Sequence, residues 1–556
     1  MTATFSPHAA AGLRGRLSGR LVLPGEEEYE AGRQVWNASH DHRPALIVQP
    51  LSVADVQAAI GFAADRGLPV CVCGGGHNHA GYAVADAALM LDLSAMVSVR
   101  VDAADRTVTV GGGATWGVVD RATQAAGLAV TGADVPAVGV GGSTLGGGAG
   151  WLHRKLGLSC DNLLAAEIVT ADAEVLSVSA EKHPELFWAL RGGGGNFGAV
   201  TSFTFALHPV GPVHVGVVVC PMERAADALA AYQHLTETGG DELFVRAMLL
   251  TAPPAPFVPG SLRGRPAVLL AAAWFGPAGQ ARSALDELRR LGPPGAVQPR
   301  PMPYVELQKI SDAMVPRRVR AASLGGFTGP LSPGVISALA SAAAEPPPMC
   351  AVMLQPLGGA VARVPADATA VPHRDAACYL AVNTIARPED DGAGQAAWAE
   401  KVTGSLPAGT ILGPGVHAMG RDEPEDRVRA AYGERAYTRL AAVKAAYDPG
   451  NAFRFNQNIR PRPRLTHAGQ IATARGQVAV RPHPAARQPH RRVRHARRRA
   501  GLSRPGPGKR TRMVRRAGQP IAAGRRGAGR RGRGCRRRCR RSAARPGRGR
   551  RCRTRR

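Results

Sequence analysis

The chain has 556 residues, more than one hydrophobic core serves, so two or more domains are expected. Its formal charge of +30 is concentrated at one end: residues 462–556 hold 34 Lys+Arg and no Asp or Glu, leaving 37 basic against 41 acidic residues before them. The body is therefore slightly acidic, which removes the charge argument for a nucleic-acid or membrane partner there. Nine cysteines show no disulfide framework. Cys71-x-Cys73 has no second cysteine pair and no histidine pair at ligand spacing, so these cysteines read as small apolar residues and no metal site is expected. The start lacks a charged n-region with a long apolar core, and no eighteen-residue apolar run follows. A cytoplasmic, reduced setting without membrane contact is the expectation.

Residues 1–43 read as a ragged lead-in containing Trp36 and Asn37. Residues 43–50 then predict a strand, 52–65 a helix capped by Ser52 with apolar positions at 53, 56, 60 and 63, and 67–73 a second strand. This βαβ opening delivers the chain into Gly74, Gly75 and Gly76, followed at once by His77 and Asn78. Glycine lacks a Cβ and tolerates positive φ, so three in succession let the backbone press against something flat or phosphorylated; a tight turn with a surface histidine is the plainer alternative. Strands are predicted at 89–93, 97–102 and 107–111, and a helix at 115–126. A second cluster follows, Gly139-Val140-Gly141-Gly142-Ser143-Thr144-Leu145-Gly146-Gly147-Gly148. After Asp161 and Asn162 comes a strand at 166–170, then a short helix at 184–190. A third cluster, Arg191-Gly192-Gly193-Gly194-Gly195-Asn196-Phe197-Gly198, formally matches GxGxxG. It follows a helix and precedes a strand at 199–207, the reverse of what a nicotinamide fingerprint needs, so that site is rejected. Beyond about residue 209, strand candidates at 249–250, 267–274, 350–355 and 376–383 alternate with helices at 281–291 and 335–344. The last helix spans 437–447 and leads into a loop at 448–458.

Together with Lys155-Leu156-Gly157-Leu158-Ser159-Cys160-Asp161-Asn162 and the closing Tyr447-Asp448-Pro449-Gly450-Asn451 and Asn456-Gln457-Asn458 segments, these clusters resemble the FAD-linked oxidases with a vanillyl-alcohol-oxidase or PCMH-type flavin domain, in the berberine-bridge-enzyme-like branch. The resemblance runs over about residues 21–461. It implies an α+β fold: a two-subdomain PCMH-type FAD-binding domain at 1–208 (core about 43–208) and an α+β substrate domain with an antiparallel sheet at 209–414. A segment returning to the flavin domain at 415–461 and a disordered Arg-rich tail at 462–556 complete it. It further implies FAD as cofactor, held through Gly74, Gly75, Gly76 and Asn78, and through Gly139, Gly141, Gly142, Thr144, Gly146, Gly147 and Gly148, whose amides suit a pyrophosphate. Asp161, Asn162, Val169, Asn456 and Asn458 complete the implied flavin contacts. His77 would take the covalent 8α bond. The position of the second, cysteinyl link of many relatives is Val135, so a single link is expected. Cys73 stands where the family usually has arginine.

The activity so implied is oxidation of a small hydroxylated or glycosylated metabolite, by hydride transfer to flavin N5 with dioxygen reoxidising the flavin to give hydrogen peroxide. A base must take the departing proton. The family's Tyr-x-Asn is replaced here by Val416-His417-Ala418, which leaves His417 and Tyr379 as candidates; a surface loop histidine and a packed aromatic are their plainer readings. Two other functions stay open, a flavin dehydrogenase using another acceptor and a catalytically weakened flavin-binding protein with a polyanion-binding tail. Residues 462–556 contain no Asp, Glu, Asn, Phe, Tyr or Trp. Such a segment cannot bury a core and is expected to be disordered. A polyanion tether would lack aromatics for base stacking, and the arginine excess also fits a non-adaptive, out-of-frame extension.

Overall fold

The computed structural model describes residues 7–291, 299–312, 316 and 318–462, without the side chains of residues 7–9, 289 and 417. The Arg-rich stretch from residue 463, and the disorder expected of it, lie outside the described residues.

The chain first builds a four-stranded sheet from β1 (Arg20–Val22), β2 (Leu46–Gln49), β3 (Val70–Cys73) and β4 (Leu89–Asp92), in the order β1-β2-β4-β3. β4 lies parallel to both β2 and β3, so the expected βαβ unit is present with β4 inserted between its strands. Its helix, Val53–Asp65, starts at Ser52, whose hydroxyl accepts the Asp55 amide at 3.2 Å. The Asp55 carboxylate in turn accepts the amides of Ser18, Gly19 and Leu51 at 2.9, 3.0 and 2.8 Å. That cap also orders the lead-in. From residue 7 to residue 43 the lead-in is not ragged: β1 pairs with β2, and Leu13 and Leu21 are buried in the same core as Val56 and Ile60. A three-residue strand is too short to show as alternation in sequence.

A five-stranded antiparallel sheet follows: β5 (Val99–Asp102), β6 (Thr107–Gly111), β8 (Leu163–Val169), β9 (Val175–Ser179) and β10 (Ala199–Ala206), in the order β5-β6-β10-β8-β9. A two-residue ribbon of β7 (Leu128–Ala129) with β11 (His208–Pro209) lies outside it. Val108, Val110, Phe203 and Phe205 share one core with Trp116, Leu186, Tyr437 and Leu440 from three helices, Trp116–Gln124, Pro184–Leu190 and Glu434–Tyr447. Each such side chain contributes about 1.5–3 kcal/mol by leaving water. β10 leaves the third glycine cluster antiparallel to β6 and β8, unlike the parallel strand–loop–helix of a dinucleotide fingerprint.

The remaining strands form one antiparallel sheet of eight: β12 (Val213–Pro221), β13 (Leu243–Thr251), β14 (Pro266–Trp274), β15 (Arg300–Met302), β16 (Arg320–Thr328), β17 (Ala351–Pro356), β18 (Cys378–Ala386) and β19 (Ile411–Gly413). Their order is β15-β12-β14-β13-β17-β18-β16-β19. The expected two-residue strand at 249–250 is in fact nine residues long, and the helix expected at 281–291 breaks at the fully buried Leu285 into Ala281–Ala284 and Asp286–Leu291. Helices Ala225–Thr238, Pro333–Ala342 and Ala393–Gly404 cover one face, over Val245, Ala247, Leu249, Val352, Leu354, Leu380 and Val382. Because side chains alternate along a strand, Arg246, Met353, Gln355, Tyr379, Ala381 and Asn383 belong to the opposite face. The register sets Gln355, Tyr379 and Phe327 in one row across β17, β18 and β16. No described helix is long and apolar enough to cross a membrane.

Candidate functional site

The histidine loop leaves the C-terminal end of parallel strand β3, where ligands gather in such sheets. None of the amides of Gly74, Gly75, Gly76, His77 and Asn78 finds an acceptor among the described residues. Five consecutive open donors beside a neutral ring suit an electron-rich, anionic partner. Burial pushes His77 down to about 4, so its imidazole is neutral at physiological pH. Its ring stacks on Trp36, with centroids 5.3 Å apart and 14° between planes. Trp36 also donates its amide to the Gly76 carbonyl at 3.1 Å and its indole N–H to Pro316 at 3.0 Å. Asn37 Nδ2 donates to the carbonyls of His79 and Ala321, at 2.6 and 2.8 Å. Two residues of the supposed lead-in thus tie the histidine loop to β16.

The glycine clusters meet because they lack side chains. A Cβ on Gly75 would lie 2.7 Å from Cα of Gly139, and one on Gly139 would lie 2.5 Å from N of Gly75. From Gly139 the short helix Val140–Leu145 starts, held by Val140 N donating to Ala114 O at 2.9 Å and by Ser143 Oγ donating to Gly139 O at 2.8 Å. Gly141 packs near Phe203, whereas a Cβ on Gly142 would meet nothing within 4 Å. Thr144 is fully buried and its Oγ1 has no partner among the described residues. Gly146 ends the helix; the carbonyls of Gly147 and Gly148 accept the amides of Cys160 and Ser159 at 2.9 and 2.8 Å. The third cluster hooks onto this helix, since Gly192 and Gly194 both donate to the Leu145 carbonyl at 3.0 Å. Asn196 then recruits the C-terminal loop: Nδ2 donates to Gln457 O at 3.2 Å and Oδ1 accepts the Ile459 amide at 3.1 Å. Asn456 Oδ1 lies 2.9 Å from where a Gly195 Cβ would sit, and Asn458 Oδ1 is buried without a partner among the described residues. Val135 presents only a hydrocarbon side chain, in the turn closed by Val138 N on its carbonyl.

Asp161, Asn162 and Val169 are engaged differently. The buried Asp161 carboxylate accepts both Arg374 Nη atoms, at 3.0 and 2.7 Å. Asn162 donates to Leu156 O and Leu158 O at 2.9 Å each and accepts His208 Nε2 at 2.7 Å. Val169 is buried at the far end of β8, paired with Ala199. In the protein alone these three serve packing and the joint with the Arg374 loop. Cys71 and Cys73 are buried among apolar side chains, where desolvation raises their thiols. No group of metal-ligating side chains occurs among the described residues.

On the open face of the eight-stranded sheet, Tyr379 is buried against Phe327, ring centroids 5.3 Å apart, and burial holds its hydroxyl firmly protonated. A Cβ on Gly415 would come 2.7 Å from that hydroxyl. The turn Val416–Ala418 therefore begins on Tyr379, and Ala418 packs with Tyr379, Ala381 and Met353. His417 belongs to this turn; its side chain lies outside the described residues. At the other end of the row, buried Arg246 pairs with Asp134, in the loop leading to Gly139, and lies 4.8 Å from the Trp151 ring centroid. Gln355, Arg246, Arg374 and the Trp36–Asn37 pair escaped sequence reasoning.

The residues present fit an FAD. Open amides at Gly74 to Asn78, free space at Gly142 and orphaned buried oxygens of Thr144 and Asn458 are what a large polar ligand would satisfy. Comparison with known proteins leads to the same group. Residues 44–179 match the family described as FAD binding domain, and residues 412–460 that described as berberine and berberine like. An FAD-linked oxidoreductase of Dictyostelium discoideum is 30% identical over 450 residues, covering 80% of this chain and 95% of the relative. (R)-6-hydroxynicotine oxidase of Paenarthrobacter nicotinovorans is 30% identical over 484 residues, covering 80% and 97%. The crystal structure of 6-hydroxy-D-nicotine oxidase from Arthrobacter nicotinovorans superposes with a TM-score of 0.71 at 27% identity, over 80% of this chain and 98% of that one. Relatives matched almost end to end, two family domains in order and a site shaped for the cofactor make this chain a member of the berberine-bridge-like FAD-linked oxidoreductases.

Proposed function

We propose that the protein is an oxidase of a small hydroxylated or glycosylated metabolite, with FAD linked once, through His77. Held by His77 and the glycine clusters, FAD would supply hydride acceptance from the substrate and electron transfer to dioxygen, with hydrogen peroxide as the product. The histidine loop supports this best: a neutral imidazole, fixed in plane by Trp36, next to five open amides. A neutral ring nitrogen is a competent nucleophile, and Val135 offers no second one.

Substrate recognition belongs, in this reading, to residues 209–414, on the face carrying Gln355, Tyr379 and Asn383. Tyr379, kept protonated by burial, donates a hydrogen bond to the substrate oxygen rather than taking a proton. His417, on the turn that begins against Tyr379, is then the proton acceptor, a task to which a histidine is suited as a residue type. The relatives named as 6-hydroxynicotine oxidases support oxygen as the acceptor.

The test is a panel of alcohols, oligosaccharides and hydroxylated N-heterocycles added to the purified holoprotein without air. An oxidase bleaches with its substrate and, when air is admitted, recolours with release of one peroxide per substrate. A flavin that stays bleached in air and recolours only with a dye acceptor would overturn the oxidase assignment in favour of a dehydrogenase.

A further inference from the structure

We propose that Arg421 is a positioning residue for flavin attachment, strapping the loop that carries His77 to the segment that carries His417. The inference rests on His77 being the attachment residue. Arg421 Nη1 donates to the carbonyls of Ala80 and Gly81 at 3.3 and 3.0 Å, and Nη2 donates to that of Val84 at 3.1 Å. All three acceptors lie on the segment that leaves His77, Ala80 and Gly81 in the turn closed by Gly81 N on Asn78 O at 3.0 Å and Val84 just past it. Despite having Asp422 and Glu423 beside it in sequence, Arg421 forms no ion pair among the described residues; its charge is directed at main-chain oxygens. A planar fork with several donors suits this task, whereas a lysine presents a single point charge.

Tyr82 and Gln457 close the circuit. The Tyr82 ring centroid lies 5.4 Å from the guanidinium carbon, and its hydroxyl donates to the Arg421 carbonyl and lies 3.1 Å from Gln457 Oε1. Gln457 Nε2 donates to Met419 O and Gly420 O at 3.1 and 3.2 Å. Residues 80–84, 419–421 and 457 are thereby one hydrogen-bonded unit. The loop needs such a hold, since three glycines precede His77 and none of its five amides has a partner among the described residues. Trp36 and Asn37 grip its front and fix the ring plane; the Arg421 strap grips its rear and sets how far the ring reaches.

Attachment is sensitive to that reach. The unprotonated ring nitrogen of His77 would gain a bond to the 8α carbon of the flavin, and the other ring nitrogen would give up its proton. The C–H bond broken there leaves its electron pair on the flavin, and dioxygen removes the pair with both hydrogens as hydrogen peroxide. Displacing a reacting atom by about 1 Å costs on the order of 10²-fold in rate. The Arg421 side chain itself bonds only to residues 80–84 among the described residues and not to the glycine clusters at 139–148 and 192–198, so FAD should still bind without it.

The experiment compares full-length wild type, His77→Ala, Arg421→Ala, Arg421→Lys and Tyr82→Phe. After free FAD is removed, total flavin per protein and the fraction retained in the acid pellet are measured, and linkage is followed in time during incubation with added FAD. Arg421→Ala is expected to keep wild-type total FAD but to link it about 10²-fold more slowly, with Arg421→Lys intermediate and Tyr82→Phe showing a smaller loss. Arg421→Ala linking at the wild-type rate would overturn the inference while leaving His77 in place. Total flavin falling in parallel with linked flavin in both Arg421 variants would also overturn it, by assigning Arg421 to the fold alone. Wild type without linked flavin would sink the His77 reading and the strap together.

Discussion

Gly75→Ala is the substitution that most directly perturbs the junction of the first two glycine clusters. Its Cβ would lie 2.7 Å from Cα of Gly139, whereas unstrained carbon contacts begin at about 3.5 Å. The obstacle is backbone, so no rotamer change relieves it, and the loops must part by about 1 Å to restore normal contact. Overpacking of this kind costs about 1–3 kcal/mol of stability. The larger effect is on chemistry, where about 1 Å at a reacting atom is worth on the order of 10²-fold. Gly142→Ala is the matched control, since its Cβ meets nothing within 4 Å and alanine favours a helix over glycine by about 0.8–1.0 kcal/mol. Denaturant midpoints and acid-pellet flavin are measured on both. Gly75→Ala should lose stability and link little FAD. Gly142→Ala should keep or raise stability yet bind FAD more weakly, because the space it fills is the cofactor's. Gly75→Ala with an unchanged midpoint and normal linkage would refute the steric reasoning, and Gly142→Ala with undiminished FAD affinity would place the cofactor elsewhere.

Four further outcomes are expected. Lys444 and Asp448 form a fully buried pair at 2.6 Å, and Lys444 Nζ also donates to Asn196 O and Phe453 O at 2.6 and 3.0 Å. Lys444→Met leaves Asp448 charged and buried and should cost about 3–5 kcal/mol, read as a lower urea midpoint. Because the folded His77 titrates near 4, below the value of about 6.5 for an exposed histidine, the unfolded state binds the extra proton first. The contribution of His77 to stability is therefore complete above the unfolded value and is lost as pH falls from there toward 4; flavin attachment to added FAD should slow with an apparent pKa near 4, and a midpoint near the exposed value would contradict the burial argument. His417→Ala should lower kcat/KM by about 10²–10⁴-fold and remove the limb of its pH profile. Tyr379→Phe should cost about tenfold, the worth of one hydrogen bond, without changing the profile; the reverse ranking would make Tyr379 the proton acceptor.

Local order in this chain was legible and long-range order was not. The Ser52 cap, the βαβ opening and the helix Pro184–Leu190 follow from neighbours a few residues apart, and each is found where the periodicity puts it. Strand β1 could not be foreseen, because three residues acquire their meaning only from pairing with β2. The same holds for the site. Glycine runs declare a need for close approach, but not that Gly75 would meet Gly139. Trp36 and Asn37 work through partners about 280 residues away, Pro316 and Ala321, and Arg421 through partners some 340 residues before it. The pair Lys444 and Asp448 did carry a signal, opposite charges four apart at a helix end; what sequence hides is that both are buried.

The most direct test of the whole account is the mass and colour of the purified wild-type protein after acid precipitation, with peptide mapping of the pellet. The account predicts a yellow pellet carrying one FAD per chain, located on the peptide containing His77 and lost in His77→Ala. A colourless pellet from a protein that nonetheless binds FAD would contradict the covalent link. A protein that takes up no FAD at all would contradict the site.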